Sequence, residues 1–217
     1  MKLSQILFSQ VKDLWILSAE KPFVTEMAKG TLADSLFREY MLQDYLYLQD
    51  YIGILNRIKS LSPDDDVTAF LNRVIEETKE EAKRVHIQNI KEFGISDSET
   101  EKSSKIPAIS DYTDFLRRCP DEYGLLGGLT ALLQCSWIYA FIGETALEKY
   151  PEEIAVSKYK SWFDAYTCQS YLDANRMWID ILDKYNSKIS DTETEKMCRI
   201  FKKCAVFENK LWDALFH

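Results

Sequence analysis

An uncharged stretch, residues 123–143 (YGLLGGLTALLQCSWIYAFIG), lies in the second half of this 217-residue chain and is flanked directly by Glu122 and Glu144. A run of this length can span a bilayer as a helix, or form the central helix of a bundle, where protein covers every face. Basic residues lie on both sides of the run, so there is no positive-inside signal, and it contains Gln134, Ser136 and four glycines. We therefore expect a buried central helix rather than a membrane span.

A second stretch, residues 38–51 (REYMLQDYLYLQDY), carries a polar stripe inside an otherwise apolar helix. At about 100° per residue, spacings of four, three and four place its stripe residues in one narrow line; these are Tyr40, Asp44, Tyr47 and Tyr51. Apolar residues cover most of the remaining surface, which is typical of a buried helix. The pattern predicts a carboxylate, Asp44, held among phenol rings. It serves either only as a hydrogen-bond acceptor for the tyrosines or as a functional group.

Apolar periodicity and boundary signals predict helices along the whole chain and no strands. The predicted helices cover 4–19, 23–27 (closed by Gly30), 31–60 (capped at 31–34), 67–93 (ended by Gly94), 107–120 (closed by Cys119 and Pro120), 122–147, 156–186, and a final helix opened by the capping box 190–193. Residues 96–104 are predicted to be a loop. About seven or eight helices packed as a bundle give an all-α fold.

Composition restricts the class of protein further. Seven glycines and five prolines argue against a many-turned all-β fold, and 46% hydrophobic residues suffice for one core, so residues 1–217 are predicted to form a single helical domain. A net charge of −8 without a basic patch makes nucleic acid an unfavourable partner. Five cysteines without a CxxC pair, and an N-terminus lacking a signal-peptide core, predict reduced thiols in a cytoplasmic protein.

Two pairs of residues could carry chemistry. Cys135 and Tyr139 are four residues apart on the uncharged helix and share a face, although a thiol in an apolar helix can equally be inert packing. Glu208 and Trp212 have the same spacing on the last helix. Glu208 stands among apolar residues, and a buried carboxyl can donate a proton near neutral pH. The alternative places Glu208 on the rim of the bundle.

Two further tyrosines, Tyr112 and Tyr166, are either site residues or ordinary core aromatics. Metal and cofactor sites are not indicated. A di-iron bundle requires two Glu-x-x-His motifs, and the chain has none, its histidines being only His86 and His217. No glycine-rich phosphate loop occurs, and Gly124, Gly127 and Gly128 are predicted to lie inside a helix and permit close packing.

These residues resemble the TenA family, the thiaminase II or aminopyrimidine aminohydrolase proteins. The resemblance covers nearly the whole chain in order, and the segments that carry it are residues 21–24 (KPFV), 30–32 (GTL), 37–38 (FR), 42–48 (LQDYLYL), Tyr112, 135–139 (CSWIY), 162–166 (WFDAY), Glu208 and 211–212 (LW). Cys135 points to the cysteine-bearing branch of the family.

The resemblance implies an all-helical fold of the haem-oxygenase-like type without haem, and assembly as a homotetramer. It also implies hydrolysis at the methylene carbon of 4-amino-2-methylpyrimidines, such as aminomethylpyrimidine and thiamin, to give hydroxymethylpyrimidine for thiamin salvage. No cofactor or metal, and no nucleic-acid or membrane partner, is implied. The partner is a small aminopyrimidine.

The family roles follow by position. Asp44 would bind the ring nitrogen and exocyclic amine through two hydrogen bonds. Cys135 would add to the ring as a thiolate, and Glu208 would protonate the leaving amine or thiazole. The tyrosines would bind the pyrimidine or orient its neighbours; these are Tyr47, Tyr51, Tyr112, Tyr139 and Tyr166.

Two departures from the family pattern are Lys21, where a histidine is common, and Cys168, where a small hydroxyl residue is frequent and could alter the pocket wall beside Tyr166. Two other functions compete with the hydrolase. One is a non-catalytic pyrimidine-binding or regulatory protein that uses the same pocket, and it is disfavoured because binding alone needs neither Cys135 nor Glu208. The other is a structural bundle that binds a protein partner.

Overall fold

The computed structural model describes residues 1–84 and 94–216, and in these ranges the chain is helical with no strand. The helices are α1 (Leu3–Ala19), α2 (Pro22–Ala28), α3 (Asp34–Ser60), α4 (Asp65–Arg84), α5 (Asp97–Lys102), α6 (Pro107–Lys149), α7 (Pro151–Val156), α8 (Lys160–Thr167), α9 (Gln169–Asp183) and α10 (Asp191–Leu215). The prediction of an all-α chain is confirmed. The last part of the predicted helix 67–93, together with His86 and His217, lies outside the described residues.

The helices form two compact units. One comprises Met1–Leu32 and Leu129–His217, and the other comprises Ala33–Gly128. Helix α6 contributes its first half to the second unit and its second half to the first. The expectation of a single domain over 1–217 stays a prediction.

In the first unit, α1 packs along α10 through side chains four residues apart. Leu3, Leu7, Val11 and Trp15 are all at most 1% exposed, as a helix that buries one stripe requires. The amide of Asn209 on α10 donates to the Leu14 carbonyl at 3.0 Å. At its N-terminus α1 is held to the end of α9, because the backbone N–H of Ser4 donates to Asp183 at 2.8 Å.

Helix boundaries in this unit follow the signals in the sequence. Gly30 lies just after the end of α2. Its φ of 71° is in the left-handed region, which favours glycine. The predicted capping box is confirmed at α10. The Ser190 side chain accepts a hydrogen bond from the Glu193 backbone, and the Glu193 carboxylate accepts from the Ser190 backbone.

In the second unit, α3 packs against α4. The predicted inward residues of α4 are buried; these are Phe70, Leu71, Val74 and Ile75. The predicted cap of α3 is wrong in its detail, because the N-cap position is Ala33, which has no side-chain oxygen to accept a hydrogen bond.

Helix α6 is long and apolar enough to cross a membrane by length and composition, and 72% of its most hydropathic window is buried within the protein. Within residues 1–84 and 94–216 it is the one helix with these properties. Burial by protein at most positions favours the core helix expected from the sequence over a bilayer span.

The break within α6 lies at Gly124 and not at Cys119 and Pro120 as predicted. Gly124 has φ of 67° and ψ of −162°, a region open essentially to glycine alone, and the helix runs through Pro120 before it. Proline removes one helix hydrogen bond, but the change of direction occurs where glycine lowers its energetic cost. The prediction that Gly124 lies inside a regular helix is therefore wrong.

Two other predicted boundaries are also wrong. Residues 96–104 include the short helix α5, because the Ser96 side chain accepts a hydrogen bond from the Glu99 backbone and opens a helix in a polar sequence. The predicted helix 156–186 is divided into α8 and α9 by Cys168, whose ψ of 150° is extended. The helical spacing that predicted one helix continues across this break, so the sequence pattern did not indicate the break.

Gly128 lies where helix packing leaves no room for a side chain, as predicted. A Cβ at this position would lie 2.5 Å from Cγ1 of Ile58, whose side chain is fully buried. We expect Gly128→Ala to lower the free energy of unfolding by about 1–3 kcal/mol through overpacking, despite the better helix propensity of alanine. Urea denaturation followed by circular dichroism measures the change.

The matched control is Gly53→Ala, also in a helix, where an added Cβ meets nothing within 4 Å. We expect this control to stabilise the protein by about 0.4–1 kcal/mol. Equal effects of the two substitutions would show that the α3–α6 contact at Gly128 is not tight.

Candidate active site

Four aromatic rings from α6, α8 and α10 form a cluster in the first unit. This four-ring cluster comprises Tyr139, Trp162, Tyr166 and Trp212. The Tyr139 ring centroid lies 4.9 Å from that of Tyr166, and 5.8 Å from that of Trp212. Trp162 lies 4.7 Å from Tyr166 in an edge-to-face arrangement. Flat aromatic faces with polar hydroxyl and indole groups are suited to a planar heterocycle.

The predicted nucleophile and acid lie one helical turn from this cluster. Cys135 precedes Tyr139 by four residues on α6, and Glu208 precedes Trp212 by four residues on α10. Residues four apart share a helix face, and the Tyr139 and Trp212 rings are in contact. The thiol and the carboxyl therefore belong to two helix faces that meet at the four-ring cluster.

Glu208 is 1% exposed and Cys135 is 8% exposed. The alternative that placed Glu208 on the rim of the bundle is wrong. A carboxyl group is rarely buried this deeply unless it is paired, hydrogen-bonded or functional. The deep burial of Glu208 is the feature that most favours a chemical role for this residue.

The second unit holds a separate group of phenols on α3 and α6. The ring of Tyr47 lies 5.8 Å from that of Tyr51 and 5.9 Å from that of Tyr112, and all three side chains are at most 7% exposed. Tyr112 is thus both a core aromatic and a neighbour of the stripe on α3. Tyr40, at the start of that stripe, packs on Phe37 with a centroid distance of 5.8 Å.

Asp44 lies on the Tyr47 side of α3 but is only partly buried. The prediction that Asp44 is held inside the protein among phenol rings is therefore met only in part, because its side chain keeps some exposure to solvent. A partly exposed carboxylate keeps some hydration, which makes its charged form less costly than in a dry core. It also stays within reach of a ligand.

The start of α6 is fastened to α3 by polar contacts on both sides of Lys105. Gln43, which is 2% exposed, donates to the Ser104 carbonyl at 3.1 Å and accepts from the Ile106 backbone at 2.9 Å. Between these contacts the Lys105 ammonium donates to Asp50 and, at 3.2 Å, to Thr113. These bonds fix the register in which Tyr112 meets Tyr47.

Asp50 is the centre of a charged network with Lys105 and Arg117 in this unit. Burial raises the pKa of Asp50, but hydrogen bonds from Lys105 and Arg117 oppose it and leave this pKa below its usual 3.8. The Arg117 guanidinium lies 2.9 Å from Asp50 and 2.7 Å from Asp114. The ionised carboxylate is therefore favoured in the folded protein.

This shift predicts how stability depends on pH. Since the folded-state pKa of Asp50 is lowered, its stabilisation is complete above the unfolded pKa near 3.8 and is lost as the pH falls through the lower folded value. We expect Asp50→Asn to lower Tm by about 2–4 °C at pH 7, as for a partly exposed ion-pair network. The difference from the wild type should shrink between pH 4 and pH 2, as thermal melts followed by circular dichroism would record.

The control is Asp114→Asn, which removes an exposed partner of the same arginine. Its difference from the wild type should stay small across this range. A difference for Asp50→Asn that is constant from pH 7 to pH 2 would contradict the assignment.

An open groove of about 670 Å³ lies beside this network and contains none of the predicted site residues. Three arginines and three aspartates line it; these are Arg57, Arg117, Arg118, Asp50, Asp114 and Asp121. Arg57 pairs with Asp121 at 2.8 Å and Arg117 pairs with Asp50. With charges that largely balance, the groove is a solvated ion-pair surface.

The structure thus places the eight predicted site residues in two sets of four. The first unit holds Cys135, Tyr139, Tyr166 and Glu208, and the second holds Asp44, Tyr47, Tyr51 and Tyr112. Within each set the tyrosine rings contact one another as described. That both sets act on one substrate stays a prediction.

Sequence reasoning did not assign two tryptophans of the four-ring cluster to the site. Trp162 and Trp212 carried a usable signal, since each stands at helical spacing from a predicted site residue, Tyr166 and Glu208 respectively. Tyr171, whose ring lies 5.2 Å from that of Tyr166, carried none. It follows the break at Cys168, which the sequence did not indicate.

The two departures from the family pattern have simple structural roles. Lys21 forms an ion pair with Asp213 at 2.6 Å, between the start of α2 and α10. Cys168 is exposed, and its thiol donates to the Ala165 carbonyl at 3.2 Å. An exposed side chain at this junction does not support the expected change in the wall beside Tyr166. None of the five cysteines, all within the described ranges, is in a disulfide.

Comparison with known proteins finds relatives that match this chain over its whole length. An aminopyrimidine aminohydrolase of Helicobacter pylori is 25% identical, with 100% of this chain and 99% of the relative covered. A protein of the same name from Halalkalibacterium halodurans is 26% identical over 100% of this chain and 96% of its own length.

Solved structures share the fold. A TenA homologue from P. horikoshii OT3 superposes with a TM-score of 0.88 at 24% identity, covering 100% of this chain and 99% of the other. A domain with a heme oxygenase-like fold from Shewanella denitrificans superposes with a TM-score of 0.78 at 12% identity, covering 99% and 92%. The predicted helical bundle of the haem-oxygenase-like type is therefore confirmed.

The model of one protein family, described as the TENA/THI-4/PQQC family, matches residues 8–217. This match covers every helix described above except the beginning of α1. The chain therefore belongs to the TENA/THI-4/PQQC family.

Proposed function

We propose that this protein is an aminopyrimidine aminohydrolase, or thiaminase II. It would cleave the substituent from the methylene carbon of 4-amino-2-methylpyrimidines and release hydroxymethylpyrimidine for thiamin salvage. The observation that carries the proposal is the placement of a buried thiol and a buried carboxyl, Cys135 and Glu208, on two helix faces that meet at the four-ring cluster. Full-length similarity to proteins named aminopyrimidine aminohydrolase supports the same reaction.

In substrate binding, the Asp44 carboxylate and the phenol side chains have separate roles. Asp44 binds the amidine-like edge of the pyrimidine through two hydrogen bonds: one carboxyl oxygen accepts from the exocyclic amine, and the other shares a proton with the adjacent ring nitrogen, which has no proton of its own in the neutral ring. Tyr139 and Tyr166 provide faces and edges for stacking, with Tyr47, Tyr51 and Tyr112 as hydrogen-bonding or orienting neighbours. Partial exposure of Asp44 is consistent with a group that meets a ligand.

The chemical steps in the proposal balance as a hydrolysis. The Cys135 thiolate adds to the pyrimidine ring, and the electron pair of the ring expels the substituent from the methylene carbon while Glu208 supplies a proton to the leaving amine. Water then adds to the methylene carbon and gives a proton to the Glu208 carboxylate, and the Cys135 thiolate leaves as the ring regains aromaticity. Aminomethylpyrimidine and water thus give hydroxymethylpyrimidine and ammonia, with the thiolate and the protonated carboxyl restored.

The second candidate is a protein that binds the pyrimidine without turnover, for regulation or delivery. The same rings and Asp44 would suffice for that function. It is disfavoured by the depth of Cys135 and Glu208, because a neutral heterocycle needs neither a thiol nor a second buried carboxyl for binding. A structural bundle that binds only protein partners would need none of these groups.

One assay separates these functions. The protein is incubated with thiamin and with aminomethylpyrimidine side by side, and hydroxymethylpyrimidine is measured by chromatography. The hydrolase forms product from at least one substrate. Tight binding of hydroxymethylpyrimidine in calorimetry without product would support the binding protein, and neither binding nor product would support the structural bundle.

The proposal extends to the cell and to assembly. We expect a single-domain cytoplasmic protein that forms a homotetramer and uses no cofactor, metal, nucleic acid or membrane. Sedimentation equilibrium tests the assembly directly, since a tetramer has four times the 25.3 kDa mass of the chain.

A further inference from the structure

Tyr171, on α9, bonds to the helical turn that carries Cys135. Its hydroxyl donates to the backbone carbonyl of Ser136 at 2.9 Å, and it lies 3.4 Å from the Ser136 hydroxyl, which donates to it. Ser136 directly follows Cys135 on α6. One phenol therefore holds the backbone next to the predicted nucleophile.

The same side chain also contacts the four-ring cluster. The ring of Tyr171 lies 5.2 Å from that of Tyr166, at an interplanar angle of 81°. This edge-to-face geometry is a favoured arrangement of aromatic pairs. Tyr171 thus contacts α8 through its ring and α6 through its hydroxyl group.

The break at Cys168 explains why such a contact matters. The extended residue Cys168 separates α8 from α9, so no continuous helix holds Tyr166 in a fixed position relative to Tyr171. Contacts between side chains, such as that between Tyr166 and Tyr171, therefore add to the constraint that the short backbone connection provides. Tyr171 is placed to supply this contact and to connect it to α6.

We propose that Tyr171 is a positioning residue that holds the Cys135 turn of α6 and the ring of Tyr166 in one fixed arrangement. It does not touch the reacting atoms. The inference rests on the proposed hydrolase function for its effect on turnover, whereas its effect on the Cys135 thiol can be measured without any substrate.

The first test compares Tyr171→Phe with the wild type in the hydrolysis of aminomethylpyrimidine. The substitution keeps the ring contact with Tyr166 and removes only the hydroxyl. Because a small displacement of a nucleophile acts mainly on the transition state, we expect kcat to fall about tenfold and KM to change less than about twofold. Two controls accompany it: Ser136→Ala, which keeps the carbonyl, and Tyr150→Phe, a tyrosine whose ring is contacted by Lys29 and Lys149.

The second test measures the rate at which iodoacetamide alkylates Cys135, read by mass spectrometry of the peptide that contains it. Loosening the turn should expose this buried thiol more often, so we expect alkylation of Tyr171→Phe to be about threefold faster or more. Tyr150→Phe should stay within about twofold of the wild type in both tests, and Ser136→Ala should change less than Tyr171→Phe.

Unchanged alkylation of Cys135 in Tyr171→Phe would overturn the inference, whatever the turnover. An equal loss in Ser136→Ala would also overturn it, because the carbonyl would then not be the group that matters. A wild-type protein without turnover would refute the proposed function, and the alkylation rates alone would then decide this inference.

Discussion

Cys135→Ser should abolish turnover of aminomethylpyrimidine, with a fall in kcat on the order of 10³-fold or more. A serine hydroxyl is almost never ionised near neutral pH, whereas a thiol can reach its nucleophilic thiolate form. The two side chains are close in size, so the surroundings of the 8%-exposed Cys135 should be preserved. Product formation under single-turnover conditions measures the loss.

A matched control is available on the same helix. Cys119 is fully buried, and burial, together with the nearby Glu122, raises its pKa to about 12, so it is a poor nucleophile. Its thiol donates to the Phe115 carbonyl at 3.3 Å, a bond that a serine hydroxyl can replace. We expect Cys119→Ser to keep kcat within about twofold of the wild type. Retention of a tenth or more of the activity by Cys135→Ser would rule out the thiolate mechanism.

Glu208→Gln should lower kcat for aminomethylpyrimidine by about 10²- to 10⁴-fold, the usual contribution of general acid catalysis. The amide preserves the shape of the side chain but cannot deliver a proton to the departing amine. Because Glu208 is 1% exposed, bulk water should substitute poorly for it. Binding of hydroxymethylpyrimidine, measured by calorimetry, should change far less than kcat.

The control for this substitution is Glu195→Gln on the same helix, α10. Glu195 is exposed and lies 3.9 Å from Arg199 in a surface pair, which contributes little to stability. We expect its activity to equal that of the wild type. If Glu208→Gln keeps half of the wild-type kcat, the carboxyl is structural and another group protonates the leaving amine.

The parts of the fold that local sequence determines were predictable. The capping box at Ser190 marks the start of α10, and Gly30 ends the segment after α2, because caps and left-handed glycines act on their immediate neighbours. Spacings of three and four residues also placed the tyrosines of α3 on one face. Tyr47 and Tyr51 are indeed in ring contact.

The parts that depend on tertiary contacts were not predictable in the same way. The break at Cys168 lies in a sequence whose periodicity continues on both sides of it. The partial burial of Asp44 depends on what covers α3 and not on α3 itself. The depth of Glu208 had two open interpretations until packing excluded one. For these residues the sequence limits the possible conformations and degrees of burial, and packing against the surrounding helices determines which one is found.

The central claim is that Cys135, Glu208, Asp44 and the phenols act on one pyrimidine ring. A crystal structure of the protein with bound hydroxymethylpyrimidine tests it most directly. The proposal predicts the Cys135 sulfur within about 3–3.5 Å of a ring carbon, with the Asp44 carboxylate on the amine edge at about 2.7–2.9 Å. A ligand bound elsewhere, or a Cys135 sulfur that faces away from a ring held by Asp44, would contradict it.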